Sequence, residues 1–191
     1  GNKDLEKDMN LLSSQVERCN EILKKLTLNP DEEDEFIDVD ITIRDYLNEI
    51  LNSFKEIRTK KFIFNFDQDS NSKKIVKSIE IVYGLRNFIG NANKFSDENI
   101  FINLKSDSEF TEISIEDDGP GYPKDILSKI GEPYLKSNNP QDKSKTGLGL
   151  GLFIGKTLLE KNFASVICRN SKTRSGAEVI IKWRNKDLFN I

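Results

Sequence analysis

The stretch Thr111-Glu-Ile113-Ser-Ile115-Glu-Asp117 alternates with period two and runs straight into Asp118-Gly119-Pro120-Gly121. Such alternation makes a strand with one buried face, and the carboxylate of Asp117 falls on the same side as Ile113 and Ile115. An acid on a core face is costly unless a donor meets it. The exocyclic amine of an adenine is such a donor. About thirty residues later, Lys145-Thr-Gly147-Leu-Gly149-Leu-Gly151-Leu-Phe-Ile154 leads into a helix from about Leu150. Alternating glycines let backbone N–H groups approach a polyphosphate, and the positive end of the helix lies there too. Each feature taken alone has an ordinary alternative: a turn-capping acid for Asp117, a flexible turn into a packed helix for the glycines. Together they point to a nucleotide.

Composition narrows the chemistry. The chain has 191 residues, enough for one full domain with a small appendage. Its net charge of −3 provides no basic stripe, so nucleic acid is not an expected partner. It contains 0 histidines, which excludes Ser-His-Asp chemistry, histidine general bases and histidine metal ligands within it. Cys19 and Cys168 are far apart in unlike contexts, so neither a structural disulfide nor a zinc site is expected. No apolar run approaches the ~20 residues of a membrane span and no secretory leader is visible, so the chain as given reads as soluble and intracellular.

Taken in order, residues 3–28 read as one helix. Leu5, Met9, Leu12, Val16, Cys19, Leu23 and Leu26 recur at spacings of four and three, a heptad seam that Leu11 and Ile22 widen. The stripe needs more than one partner helix, as in a larger bundle, unless it packs on its own domain. Residues 29–35 are an acidic linker, and a short strand from Phe36 to Ile41 follows. Ile43, Tyr46, Leu47, Ile50, Leu51, Phe54 and Ile57 trace a helix of about four turns. Lys61 to Asp67 alternates as a strand with phenylalanines on one face.

A helix from roughly Ser72 to Phe95 carries the second functional face. Leu85, Phe88, Ile89 and Ala92 share a core-facing arc, with Asn87, Asn91 and Lys94 gathered on the opposite side. Carboxamide oxygens suit a hydrated Mg²⁺ that also takes phosphate oxygens, and the lysine suits the phosphates. A plain solvent-facing polar surface is the alternative. Strands at Ile100–Leu104 and at 111–117 come next. Residues 122–146, irregular after Ile130 and bearing Lys136, Lys143 and Lys145, read as a lid or as a disordered loop. The helix to about Lys161 is followed by strands near Ala164–Arg169 and Ala177–Trp183.

Four segments carry a family resemblance. Asn87-Phe-Ile-Gly-Asn91-Ala-Asn-Lys94-Phe95, Asp117-Asp-Gly119-Pro-Gly121, Gly131-Glu-Pro133-Tyr134 and Gly147-Leu-Gly149-Leu-Gly151-Leu resemble, in order, the N, G1, F and G2 boxes of sensor histidine kinases. The resemblance covers about residues 36–184. It implies the α+β Bergerat-type ATP-binding fold of the GHKL group, a two-layer sandwich of a mixed five-stranded sheet with three helices on one face. By that match Asn91 and Asn87 would hold Mg²⁺ and the phosphates, Lys94 the phosphates or ribose, and Phe95 would lie near the adenine. Asp117 would bind the adenine amine, with Gly119 and Gly121 shaping its pocket. Gly147, Leu148, Gly149, Leu150 and Gly151 would form the loop around the phosphates.

The domain organisation then implied is residues 1–28 as the second helix of a dimerisation and phosphoacceptor hairpin, 29–35 as linker and 36–191 as the ATP-binding catalytic domain with its lid at 122–146. The acceptor histidine would sit on the hairpin's other helix, so this fragment would hold no catalytic residue of its own and could not phosphorylate itself on histidine. Implied partners are ATP, that histidine-bearing helix in a homodimer, and a response regulator. Implied location is the cytoplasmic part of a bacterial inner-membrane sensor, joined to the membrane only through segments outside this sequence. More narrowly, residues 14–23 and 151–160 are similar to the RegB/PrrB group of redox-responsive sensors. There Cys19 would match the redox-linked cysteine, whereas its place on the heptad seam suits a buried inert thiol.

Two positions depart from the pattern. Leu148 stands where the G2 box usually has Ser or Thr, which removes a hydroxyl donor near the phosphates, and Lys136 is displaced from the usual basic position after the F box. A third position separates branches of the family. Related hydrolytic ATPases and anti-sigma serine kinases carry a glutamate where this chain has Asn87, and a carboxamide cannot take a proton from water. Slow hydrolysis and attack by an external imidazole are therefore expected, with a GHKL-type ATPase or a non-transferring nucleotide-binding module as the alternatives.

Overall fold

The alternation ending at Asp117 becomes the central strand of a mixed sheet, and its neighbours repeat the same inside-outside code. The computed structural model describes residues 41–54, 60–69, 73–127, 129–130, 132 and 150–188. Within them the chain runs β1 (Ile41–Thr42), α1 (Ile43–Asn52), β2 (Lys61–Phe66), β3 (Lys74–Ile75), α2 (Ile79–Phe95), β4 (Asn99–Ser106), β5 (Phe110–Asp117), α3 (Lys124–Leu127), α4 (Gly151–Lys161), β6 (Ser165–Asn170) and β7 (Ala177–Arg184). A 5-stranded sheet has the order β2-β4-β5-β7-β6. Only β2 and β4 are parallel; the other pairs are antiparallel.

Register places the apolar side chains in continuous rows. Ile102, Ile115 and Val179 are successive partners, as are Leu104, Ile113 and Ile181, and all six are buried. On β2, Phe62, Phe64 and Phe66 stand opposite Ile100, Ile102 and Leu104; Phe62 and Phe66 pack against the core, whereas Phe64 is exposed. The same core takes Ile43, Tyr46, Leu47, Ile50 and Leu51 from α1, Ile81, Leu85, Phe88, Ile89 and Ala92 from α2, and Leu159 from α4. Each fully buried large side chain of this set contributes about 1.5–3 kcal/mol. Helices therefore cover one face of the sheet, as expected of a two-layer sandwich.

The ends of the helices follow local chemistry. Thr42 caps α1: its Oγ1 accepts from Asp45 N at 3.1 Å and donates to the Asp45 carboxylate at 2.7 Å. The helix expected to reach Ile57 ends at Asn52, where the Ser53 hydroxyl donates to Ile50 O at 2.6 Å. The helix expected from Ser72 starts only at Ile79. Lys74–Ile75 instead pairs antiparallel with Ile41–Thr42, and the Tyr46 hydroxyl takes both main-chain groups of Ser78, donating to its carbonyl at 2.7 Å and accepting from its N–H at 3.1 Å. Those tertiary bonds override local helix preference.

Helices α2 and α4 cross at two glycines. A β-carbon on Gly84 would come within 2.6 Å of Leu159 Cγ, and one on Gly155 would lie 3.0 Å from Phe88 Cε2. That close crossing brings the first turn of α4 onto the polar face of α2. The expected helix over 3–28, the linker at 29–35, the strand from Phe36 up to residue 40 and most of the 122–146 lid lie outside the described residues. Among the described residues, no helix is long and apolar enough to cross a membrane.

Candidate functional site

Asp117 ends β5 on its core side, only 5% exposed. Its Oδ1 accepts from Gly119 N at 2.9 Å and Ala177 N at 3.1 Å. No hydrogen bond among the described residues reaches Oδ2, so the carboxylate keeps one acceptor in hand. Burial pushes the pKa of Asp117 upward, the two amides pull against it, and the charges of Asp118 and Glu116 add to the rise.

The neighbouring acid has a different task. Asp118 Oδ1 accepts from the N–H groups of Asp97 and Glu98, each at 3.0 Å, and Oδ2 from Asn99 N at 2.9 Å and Asn99 Nδ2 at 2.8 Å. Partial burial would raise its pKa, but these hydrogen bonds outweigh that and hold it below the usual carboxylate range. Asp118 thus ties the end of α2 and the start of β4 to the turn after β5.

Glycines let that turn close on its surroundings. A β-carbon at Gly119 would run into the Phe95 carbonyl oxygen, which fixes the turn against the C-terminus of α2. Gly121 has φ 74°, and a β-carbon there would stand 2.8 Å from Asn170 Oδ1. Two residues that sequence reasoning missed complete this wall. Asn170 clamps Tyr122 at both main-chain groups, accepting from its N–H at 2.6 Å and donating to its carbonyl at 3.0 Å. Gly176 lies so close to the main chain of Asp117 that no side chain fits. Its sequence signal was only an Arg-Ser-Gly turn between two strands.

On α2, Leu85, Phe88, Ile89 and Ala92 are buried, as expected, and Lys94 is exposed. Asn87 and Asn91 are half-buried rather than free in solvent, because the start of α4 covers them. A β-carbon on Gly151 would stand 3.4 Å from Asn87 Oδ1 and 3.5 Å from Asn91 Nδ2. Asn87 Nδ2 donates back to Tyr83 O at 2.8 Å, which turns its oxygen toward that helix start. The Lys94 ammonium lies 5.1 Å from the centroid of the Phe95 ring. Ile154 N donates to Leu150 O at 2.8 Å, so Leu150 opens the helix where the glycine pattern put it.

The structure thus brings Asn87 and Asn91 to Gly151, and Phe95 to Gly119 and Asp117, around the end of one helix. Two carboxamides facing the positive end of α4 fit an anion with its divalent cation, and the spare oxygen of Asp117 fits a donor on a base. Gly147, Leu148, Gly149, Lys136 and Cys19 lie outside the described residues. Cys168 is half-buried beside Tyr122, and burial pushes its thiol up to about 11, so it is not a ready thiolate.

Residues 77–187 match the family described as histidine kinase-, DNA gyrase B-, and HSP90-like ATPase. The sensor histidine kinase RegB of Cereibacter sphaeroides is 31% identical over 180 residues, covering 87% of this chain and 37% of the relative. The chain therefore spans little more than a third of the length of that curated relative. Among solved structures, the catalytic domain of histidine kinase ThkA superposes with a TM-score of 0.62 at 20% identity, over 76% of this chain and 96% of that one. Full-length ShkA in complex with AMPPNP gives 0.60 at 21% identity, over 75% and 30%. At these identities the structures share the fold, the Bergerat-type sandwich that the sequence implied.

Proposed function

Because the chain belongs to the histidine kinase-, DNA gyrase B- and HSP90-like ATPase family and carries the catalytic domain of a RegB-type sensor histidine kinase, we propose that it presents the γ-phosphoryl of ATP to a histidine of another helix. The observation that carries this reading is the meeting of Asn87 and Asn91 with the N-terminus of α4 at Gly151.

In this reading Asp117 Oδ2 accepts from the adenine amine, and Phe95 lies along the base. Asn91 and Asn87 hold Mg²⁺ and the phosphate oxygens, and Lys94 reaches the phosphates or the ribose. By the match to the family's motif, Gly147, Leu148, Gly149, Leu150 and Gly151 would form the loop around the phosphates. Bound Mg²⁺ supplies neutralisation of the phosphate charge. Asn87 orients without removing a proton, so water is a poor acceptor here and an imidazole nitrogen, already nucleophilic, is a good one.

The sequence holds 0 histidines, so the acceptor must come from outside it. A histidine-bearing hairpin helix in a homodimer would supply that acceptor, a response-regulator aspartate would receive the phosphoryl group next, and segments outside this sequence would anchor the parent sensor in a bacterial inner membrane. By the RegB resemblance Cys19 would be the redox-linked thiol of that sensor, and by its place on the heptad seam a buried inert one.

Incubation with γ-labelled ATP, Mg²⁺ and a separately made histidine-bearing hairpin tests the reading. Label on the hairpin that disappears when its histidine is replaced is the expected result. Free phosphate with an unlabelled hairpin would make the protein an ATPase, and ATP binding with neither product would make it a regulatory module.

A further inference from the structure

One carboxylate on the face of the sheet opposite α1, α2 and α4 is nonetheless buried. Glu116 precedes Asp117 on β5 and so lies on the opposite face, yet it is 5% exposed. The turn between β6 and β7 covers it. The hydroxyls of Ser171 and Thr173 both donate to Glu116 Oε1, the second at 3.1 Å, and Arg174 Nη1 donates to Oε2 at 2.6 Å. The guanidinium carbon of Arg174 also stands 3.7 Å from the ring centroid of Phe101, the register partner of Glu116 on β4. The cation is held between an acid and a ring.

On its other side Glu116 is in register with Glu178, which pairs with Arg169 at 2.6 Å. Adjacent acids on paired strands repel, and here each has its own arginine. Loss of Arg174 would leave Glu116 beside a like charge beneath the turn.

The same turn forms the back of the Asp117 pocket. Ser171 N donates to Gly176 O at 2.8 Å and closes it. Its exit delivers the Ala177 N–H to Asp117 Oδ1 at 3.1 Å and presses Gly176 on the Asp117 main chain. At its entry Asn170 clamps Tyr122, and Asn170 and Ser175 O border Gly121.

Resting on the reading of Asp117 as the adenine acceptor, we propose that Glu116 and Arg174 latch the β6–β7 turn against the sheet and thereby set nucleotide affinity from the face opposite the nucleotide. They are positioning residues. The path runs from the ion pair to the turn, from the turn to the Ala177 amide, and from that amide to the orientation of the Asp117 carboxylate.

Mg²⁺-ATP binding to the full chain, followed by calorimetry, tests the latch. Arg174→Ala and Glu116→Gln should each weaken binding roughly tenfold, about the effect of one charge-assisted hydrogen bond, and Arg174→Lys should recover part of it. A second readout separates positioning from general stability. In nitrogen-15 spectra the Ala177 amide should follow the titration of Asp117. In the charge-neutral pair Ser171→Ala/Thr173→Val, Asp117 should titrate at higher pH, because a donor that stabilises its charged form is displaced. Should Glu116→Gln not fold, Arg174→Ala and this pair carry the same expectation. Wild-type affinity in the latch variants, with Asp117→Asn impaired, overturns the latch and leaves the adenine reading standing. Wild-type affinity in Asp117→Asn overturns both.

Discussion

A β-carbon placed on Gly151 would stand 3.4 Å from the Oδ1 of Asn87, an ordinary contact that the protein tolerates without rearrangement. The space it would fill is the gap between the two carboxamides and the first turn of α4. Gly151→Ala is therefore expected to hold or raise stability, by up to about 1 kcal/mol from helix preference alone, while weakening Mg²⁺-ATP binding by roughly tenfold or more. Thermal melting and calorimetry on one preparation check both signs. Loss of stability and binding together would make this glycine a packing residue instead.

Asp117 should show the opposite coupling of stability and binding to that of an ordinary buried ion pair. Its pKa is raised in the folded state, so its contribution to stability is full below the ordinary carboxylate pKa and is lost as pH rises through the raised value. At pH 7 the ionised group is a burden. Asp117→Asn keeps an oxygen for the Gly119 and Ala177 amides and removes the charge. The nucleotide-free protein should be more stable than wild type at pH 7, with the gain vanishing at low pH. ATP affinity should fall by about 1.5–3 kcal/mol, because an amide nitrogen now faces the adenine amine. Urea unfolding at two pH values and calorimetry measure the two halves.

Much of this site was legible because period and spacing decide it. Two-residue alternation fixed the side on which Asp117 lies, and helical spacing put Asn87 and Asn91 on one face wherever their helix begins. The start of that helix was not legible. It depends on Tyr46, 32 residues before Ser78, and no local window contains both. Gly176 reads as any turn glycine, since what demands it is the main chain of Asp117, brought there by the pairing of β5 with β7. Asp118 read as a partner of Asp117 in one motif; its actual work, gathering N–H groups from 97–99, needs the α2–β4 connection to be in place.

Asp118→Asn should destabilise the protein in a pH-dependent way. The folded pKa of Asp118 is depressed, so its contribution is present above the ordinary carboxylate pKa and is lost as pH falls through the depressed value. The substitution also sets an amide nitrogen against one of the N–H groups now bonded. A loss of about 1–2 kcal/mol at pH 7 is expected, shrinking as the solution is acidified below the carboxylate range. Chemical unfolding of both proteins at neutral and acidic pH gives the comparison. A gap that stays constant with pH would show that the charge of Asp118 adds nothing.

The C-terminus of α4 is closed at a conformational cost that can be removed. Phe163 N donates to Glu160 O at 3.2 Å and Ala164 N to Leu159 O at 3.0 Å, a pattern that requires a left-handed residue between Asn162 and Ala164. Phe163 fills that position with φ 62°, and the residue is 55% exposed, so it recovers only part of what a core phenylalanine would by burial. Glycine adopts this conformation without a β-carbon clash but loses more freedom on folding. The clash is the larger effect. Phe163→Gly should stabilise the domain by about 1 kcal/mol, read as a higher urea midpoint at unchanged slope, with ATP affinity untouched because the site lies at the other end of α4. Destabilisation would mean that the exposed ring makes contacts worth more than its strained backbone costs.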